Sequence, residues 1–130
     1  PLEEELNHCR DYLMMEKIRF EERLQYEINV HPSITSFLLP PLSIQTLVEN
    51  AIKHGINESL IGGKIRIDCR EEKEHIVTTI TSDGKLKTNN SNGTGIKNLK
   101  KRFEILYPKN FNFALSEKDG KVIAQFKLPK

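Results

Sequence analysis

The chain of 130 residues contains no tryptophan, only two cysteines and only two methionines. Cys9 and Cys69 lie far apart, each inside an apolar pattern. Two buried free thiols are therefore expected, rather than a disulfide or a zinc site, and with them a reducing, cytoplasmic setting. No apolar run approaches the roughly 20 residues that a membrane span needs, and the N-terminus does not read as a secretory leader. Neither sign of charge dominates. There are 20 basic and 18 acidic residues, a net charge of +2, which argues against a dedicated nucleic-acid surface. No G-x-x-x-x-G-K-[ST] occurs, so a P-loop is excluded. No βαβ unit flanks a glycine pair, which speaks against a Rossmann site. None of the four histidines, His8, His31, His54 and His75, has a partner at metal-ligand spacing, and without a nucleophile elbow a hydrolytic triad has no support. No internal repeat or sustained heptad is present.

What is there suits one domain with a real core. The opening on Pro1 rather than methionine leads to the expectation of a fragment of something longer. Leu2, Leu6, Cys9 and Leu13 recur at helical spacing, widened by Tyr12 and Met15, and predict an amphipathic helix ending near Arg23. Its apolar face has two possible destinations, the domain's own sheet or a partner helix. Leu24–Val30 alternates as a strand. Pro40–Gly55 reads as the central helix. Pro41 suits its first turn, Ser43 is a candidate cap and Gly55 stops it. Lys64–Arg70 and His75–Thr81 form a hairpin with Ile65, Ile67 and Cys69 inward. Thr88–Gly95 is polar and small, expected as a mobile loop. A helix starting at Ile96 carries Leu99, Phe103 and Leu106 and stops at Pro108. Phe111–Ser116 and Lys121–Leu128 pair through an Asp119-Gly120 turn. The sum is an α+β, two-layer sandwich: a mostly antiparallel five-stranded sheet with about three helices on one face. Residues 1–23 are a leading helix and 24–130 the body of the one domain.

Three places can carry chemistry. On the central helix, Ile44, Leu47, Val48, Ala51 and Ile52 share an apolar arc. Thr46, Asn50, Lys53 and His54 lie opposite, with Ser43 and Glu49 at the margins. That polar side is either a solvated face, the usual fate of such residues, or a site for a metal-bound phosphate ligand. Periodicity does not choose. Gly93-Thr94-Gly95 precedes a helix N-terminus, where unpaired N–H groups and a partial positive charge suit an anion. Such a glycine pair is more often only a turn. Asp83-Gly84, ending a strand, is either a turn or a carboxylate that accepts from an amino-bearing ring and so selects adenine.

The order of these pieces is more specific than any one of them. P-L-S-I-Q-T-L-V-E-N-A-I-K-H-G, then a strand ending S-D-G, then G-T-G-I-K-N-L-K-K-R-F-E-I-L-Y-P, resembles the ATP-binding catalytic domain of sensor histidine kinases. The LytS-type subfamily of the GHKL, or Bergerat-fold, ATPases is the best match, over essentially the whole chain. The resemblance implies ATP and Mg²⁺ as cofactors. Asn50 corresponds to the N-box metal ligand and Glu49 to an acidic helper near the metal or the transferred phosphoryl. Lys53 would contact phosphate, and His54 would line the pocket wall. Gly93, Thr94, Gly95 and Ile96 match the G2 box, with Asn98 reaching phosphate and Arg102 structural. Residues Lys85–Asn92 would form a lid. The family's V-x-D-x-G places an aspartate on the adenine amine. Here Ser82 fills that slot and Asp83 follows, with Gly84 next, so a bulge must return Asp83 to the pocket or Ser82 and water must read the base. The phosphoaccepting histidine of the family lies upstream, and neither His8 nor His31 has its F-x-x-P-H-F-x-F-N surroundings. The implied function is to present Mg-ATP to a histidine outside this chain. The alternative is a degenerate GHKL fold that acts as a regulatory or interaction module. The implied partners are an upstream dimerisation and phosphoacceptor region and a response regulator. The implied parent is homodimeric and anchored in the inner membrane, with this domain in the cytoplasm.

Overall fold

The computed structural model describes residues 1–53, 62–84 and 93–130. In chain order the elements are α1 (Leu2–Phe20), β1 (Leu24–Val30), α2 (Ser43–Ala51), β2 (Gly63–Glu71), β3 (His75–Asp83), α3 (Gly93–Leu106), β4 (Asn112–Lys118) and β5 (Lys121–Pro129). Single 3₁₀ turns follow α1 and β1. The strands form one sheet in the order β1-β2-β3-β5-β4. β1 and β2 run parallel, joined by a crossover that contains α2, and every other pair is antiparallel. Among the described residues three α-helices and five strands stand as expected.

Strand alternation decides the layers. Ile65, Ile67 and Cys69 on β2 lie opposite Ser82, Ile80 and Thr78 on β3, which in turn lie opposite Val122, Ala124 and Phe126 on β5. These positions share one face because paired residues point the same way. That face meets the apolar sides of the helices: Leu2, Leu6, Cys9 and Leu13 of α1, Ile44, Leu47 and Val48 of α2, and Ile96, Leu99 and Phe103 of α3 belong to the same buried cluster. Phe103 anchors the far end, with its ring 5.1 Å from Phe126 and 5.9 Å from Phe111, in the tilted arrangements that aromatic quadrupoles favour. The apolar face of α1 thus packs into the domain's own core. The other face of the sheet carries charge, with Arg66 pairing Glu27 and Asp68. Both cysteines are free and buried, as expected.

Several local expectations need correction. Met15 does not widen the α1 stripe: it is 70% exposed, while Tyr12 is half-buried. α2 begins two residues later than the prolines suggest. Leu42 occupies its cap position at φ 65, and Ser43 is no acceptor cap, because its buried hydroxyl donates to Pro40 O at 2.6 Å. α3 begins earlier than Ile96, so Gly93-Thr94-Gly95 is its first turn rather than a loop before it. β3 continues through Asp83. Gly62 explains its glycine: φ is +81, and a Cβ would lie 2.0 Å from Arg23 O. Only glycine permits that approach where β2 enters the sheet beside β1.

Candidate functional site

α2 buries Ile44, Leu47, Val48, Ala51 and Ile52. That fixes its rotation and turns Glu49 and Lys53 to solvent, with Asn50 half-exposed at the margin. Glu49 accepts from Gln45 Nε2 at 3.3 Å. The Asn50 amide has no hydrogen-bond partner among the described residues, so its oxygen is available to a ligand. His54 and the expected lid, 85–92, lie outside the described residues.

α3 brings its N-terminus to the same place. Gly95 sits beside α2, where a Cβ would come 3.5 Å from Thr46 Cγ2. This is an ordinary contact distance, so the protein itself does not demand glycine there. The first four N–H groups of a helix lack intrahelical acceptors. In α3, which begins at Gly93, these include Gly93, Thr94 and Gly95. The Ile96 side chain is buried and anchors the turn, while Asn98 is exposed. Arg102, two turns along α3, donates through Nη1 to Pro41 O, tying α3 to the approach of α2. The expected structural role of Arg102 has this concrete form.

The end of β3 resolves the serine–aspartate alternative geometrically. Pairing with β5 runs without a bulge from His75 to Asp83, so Ser82 and Asp83 point to opposite faces. Ser82 lies on the helix side, 4% exposed. Asp83 lies on the open side, where Oδ2 accepts from Lys64 N at 2.8 Å and Oδ1 pairs with Lys121 Nζ at 2.6 Å. Partial burial works against the Asp83 charge, but Lys121 and the Lys64 N–H outweigh it and hold the carboxyl below its ordinary value of 3.8. A ligand between the helices and the sheet would meet Ser82, not Asp83.

Among the described residues no group of three or more His, Cys, Asp or Glu side chains gathers as a metal cage. A single amide oxygen beside a cradle of N–H groups suits instead a hard cation that arrives on phosphate oxygens and keeps its waters. The residues fit a nucleotide-borne magnesium ion. Among the described residues no helix is long and apolar enough to cross a membrane.

A five-stranded sheet covered by three helices, with the start of α3 packed on α2, has the histidine-kinase catalytic fold. The histidine kinase domain of the Erythrobacter litoralis EL346 blue-light activated histidine kinase superposes with a TM-score of 0.74. That match has 12% identity and covers 99% of this chain and 65% of that one. The sensor histidine kinase BtsS of Escherichia coli strain K12 is 31% identical over 131 aligned residues, 98% of this chain and 23% of that protein. The sensor histidine kinase/phosphatase LytS of Staphylococcus aureus strain MRSA252 is 32% identical over 124, covering 84% of this chain and 21% of LytS. No family model matches. The chain's curated relatives thus include sensor histidine kinases, LytS among them, and its fold is that of histidine-kinase catalytic domains. It spans about a quarter of the length of the curated relatives it matches.

Proposed function

We propose that this domain presents Mg-ATP for phosphoryl transfer to a histidine outside the chain, as the catalytic part of a two-component protein-histidine kinase. The observation that carries the reading is the half-exposed Asn50 amide, unpartnered among the described residues, on the helix that meets the first turn of α3 at Thr46 and Gly95. In this reading Asn50 ligates the metal and Glu49 stands as the acidic helper. Lys53 and Asn98 contact phosphate, and His54 lines the wall. The N–H groups of Gly93, Thr94, Gly95 and Ile96 hold phosphate oxygens at the positive end of α3. Ser82 and Gly84 face the base. Magnesium, when bound, neutralises phosphate charge. The protein's own contribution is positioning and preorganised N–H dipoles, which suit a phosphoryl transfer needing little covalent help from side chains.

The same proposal covers the parent protein. An upstream region supplies dimerisation and the phosphoacceptor, a response regulator receives the phosphoryl group, and nucleic acid plays no part. The parent is a homodimer anchored in the inner membrane, with this domain in the cytoplasm. Asn50→Ala is the test. It should abolish magnesium-dependent ATP binding while leaving the thermal midpoint within a few degrees. Unchanged affinity removes Asn50 from the metal site.

The second reading, a degenerate GHKL fold serving as a regulatory or interaction module, is favoured by one observation. The buried strand-end position holds the neutral Ser82, while the nearby carboxylate, Asp83, is committed to Lys121 on the other face. A folded chain that binds no nucleotide would select this second reading.

A further inference from the structure

β1 is an edge strand of the sheet, and the nucleotide reading makes no use of its free side. The hydrogen-bond pattern says which residues face outward. His31 donates its N–H to Cys69 O at 3.1 Å, and Val30 lies opposite Cys69 in the parallel register. In such a ladder alternate residues bond to the neighbouring strand. Glu27, Asn29 and His31 therefore bond to β2, while Leu24, Tyr26, Ile28 and Val30 turn their N–H and C=O groups away from it. Leu24 O agrees, because Lys17 Nζ of α1 reaches it from outside the sheet at 2.6 Å. The outward backbone groups of Tyr26, Ile28 and Val30 have no hydrogen-bond partner among the described residues. This free stretch ends at the Lys17 contact on one side and at Pro32, which opens a 3₁₀ turn, on the other. Its midpoint is Ile28. Sheets guard such edges with charge, proline or bulges. Here the stretch holds one charge, Glu27, whose carboxylate is already paired with Arg66 at 3.3 Å.

We propose that this edge is a contact surface for a second copy of the chain, paired antiparallel across a two-fold axis at Ile28. Self-complementarity selects that occupant. With Ile28 opposite the partner's Ile28, Tyr26 stands opposite the partner's Val30, and Glu27 opposite the partner's Asn29. On the helix side an aromatic ring then faces a β-branched side chain, a favourable cross-strand pair. On the open side an amide faces a carboxylate, and no like charges meet. Within one chain Asn29 Nδ2 already donates to Glu27 Oε2 at 3.1 Å, which shows that the two groups match. The helix layer continues the surface. Met14 and Ile18 of α1 are exposed, and with Lys17 and Tyr26 they line an open groove of about 580 Å³ at this edge. The partner's Val30, set opposite Tyr26, covers that groove. The pairing makes one continuous sheet through both copies by strand addition. It needs nothing upstream of this chain, and it holds whether or not nucleotide binds.

The test joins sedimentation equilibrium with amide hydrogen exchange by NMR, both across a concentration series of the chain. So small a contact makes a weak dimer, with a Kd on the order of 0.1 mM. Between about 0.05 and 1 mM the Tyr26, Ile28 and Val30 amides should slow by about two- to fivefold as the dimer fills, while Glu27 and Asn29, bonded to β2, stay slow throughout. Ile28→Pro removes an outward N–H that β2 does not use, and should weaken the dimer by about tenfold or more. Ile28→Lys keeps that N–H but sets like charges opposite each other across the axis, and should dissociate the dimer as well. Ala114→Lys, on the exposed face of the other edge strand β4, should leave the Kd unchanged. A chain that stays monomeric to 1 mM overturns the proposal, including one that is monomeric yet accepts an added extended peptide at β1. So do wild-type amides at Tyr26, Ile28 and Val30 that ignore concentration, or a folded Ile28→Lys chain with the wild-type Kd. The exchange measurement needs no variant, so a misfolded Ile28→Pro chain does not shield the proposal.

Discussion

Exchanging Asp83 and Ser82 one at a time asks which of them faces the ligand. Asp83→Asn breaks the ion pair with Lys121, whose two side chains are 37% and 50% exposed. Exposed pairs contribute about 0.2–1 kcal/mol, and the amide oxygen of asparagine still accepts from Lys64 N. The expected loss is below about 1 kcal/mol, or roughly 4 °C in a chain of this size. ATP affinity should stay within about twofold, because β3 carries Asp83 away from the helix layer. Ser82→Ala should behave in the opposite way. Its hydroxyl has no hydrogen-bond partner among the described residues, so removing it should cost little stability. A neutral hydrogen bond to the base contributes about 0.5–1.5 kcal/mol net, which is about a 2- to 12-fold weaker Kd. Thermal melts and calorimetric titration of both variants provide the readout. Nucleotide binding abolished by Asp83→Asn in a folded protein, with Ser82→Ala unchanged, would refute the alternation argument and require a bulge in the bound state.

Three further outcomes follow from the geometry. Gly62→Ala should cost at least about 2 kcal/mol by chemical denaturation, since a Cβ there meets Arg23 O at 2.0 Å and φ is positive; a neutral result would mean the β1–β2 entry rearranges freely. Gly95→Ala should fold as well as wild type or gain up to about 1 kcal/mol, because its Cβ finds only an ordinary contact with Thr46. Its ATP affinity should fall tenfold or more if phosphate lies on that turn, and unchanged affinity would move the phosphates elsewhere. Burial pushes the Cys9 thiol up to about 12 and the Cys69 thiol up to about 11 from an ordinary 9.0. Each folded thiol stays protonated while its unfolded counterpart ionises, so stability declines with rising pH by about 1.4 kcal/mol per pH unit for each between 9 and 11. Urea midpoints should fall less steeply over that range in Cys9→Ala, and an unaltered slope would contradict the buried thiol.

Much of this was legible in the chain because its signals are local. Strict alternation in Lys64–Arg70 assigns Ile65, Ile67 and Cys69 to one face, and the structure buries all three. The 3.6-residue spacing of α2 similarly separates Val48 and Ala51 from Glu49 and Asn50. What was not legible depends on distant partners. Leu42 takes a left-handed cap position and Ser43 turns inward at a turn whose Pro41 carbonyl accepts from Arg102, far away in sequence. No spacing rule singles out Glu5 among the acids Glu3, Glu4 and Glu5 that open α1, since only packing buries it while the other two stay exposed. The serine–aspartate alternative needed the register of β3 against β5, which sequence spacing leaves open. Spacing places Thr46 only on the polar arc of α2, and its role as the point where α2 meets Gly95 emerges only when the two helices are packed.

The most direct measurement is calorimetric titration of this domain with ATP, with and without Mg²⁺, and with GTP beside it. The account predicts magnesium-dependent binding of ATP, lost in Asn50→Ala and weakened in Ser82→Ala. A well-folded domain that takes up no ATP in the presence of Mg²⁺ would contradict it.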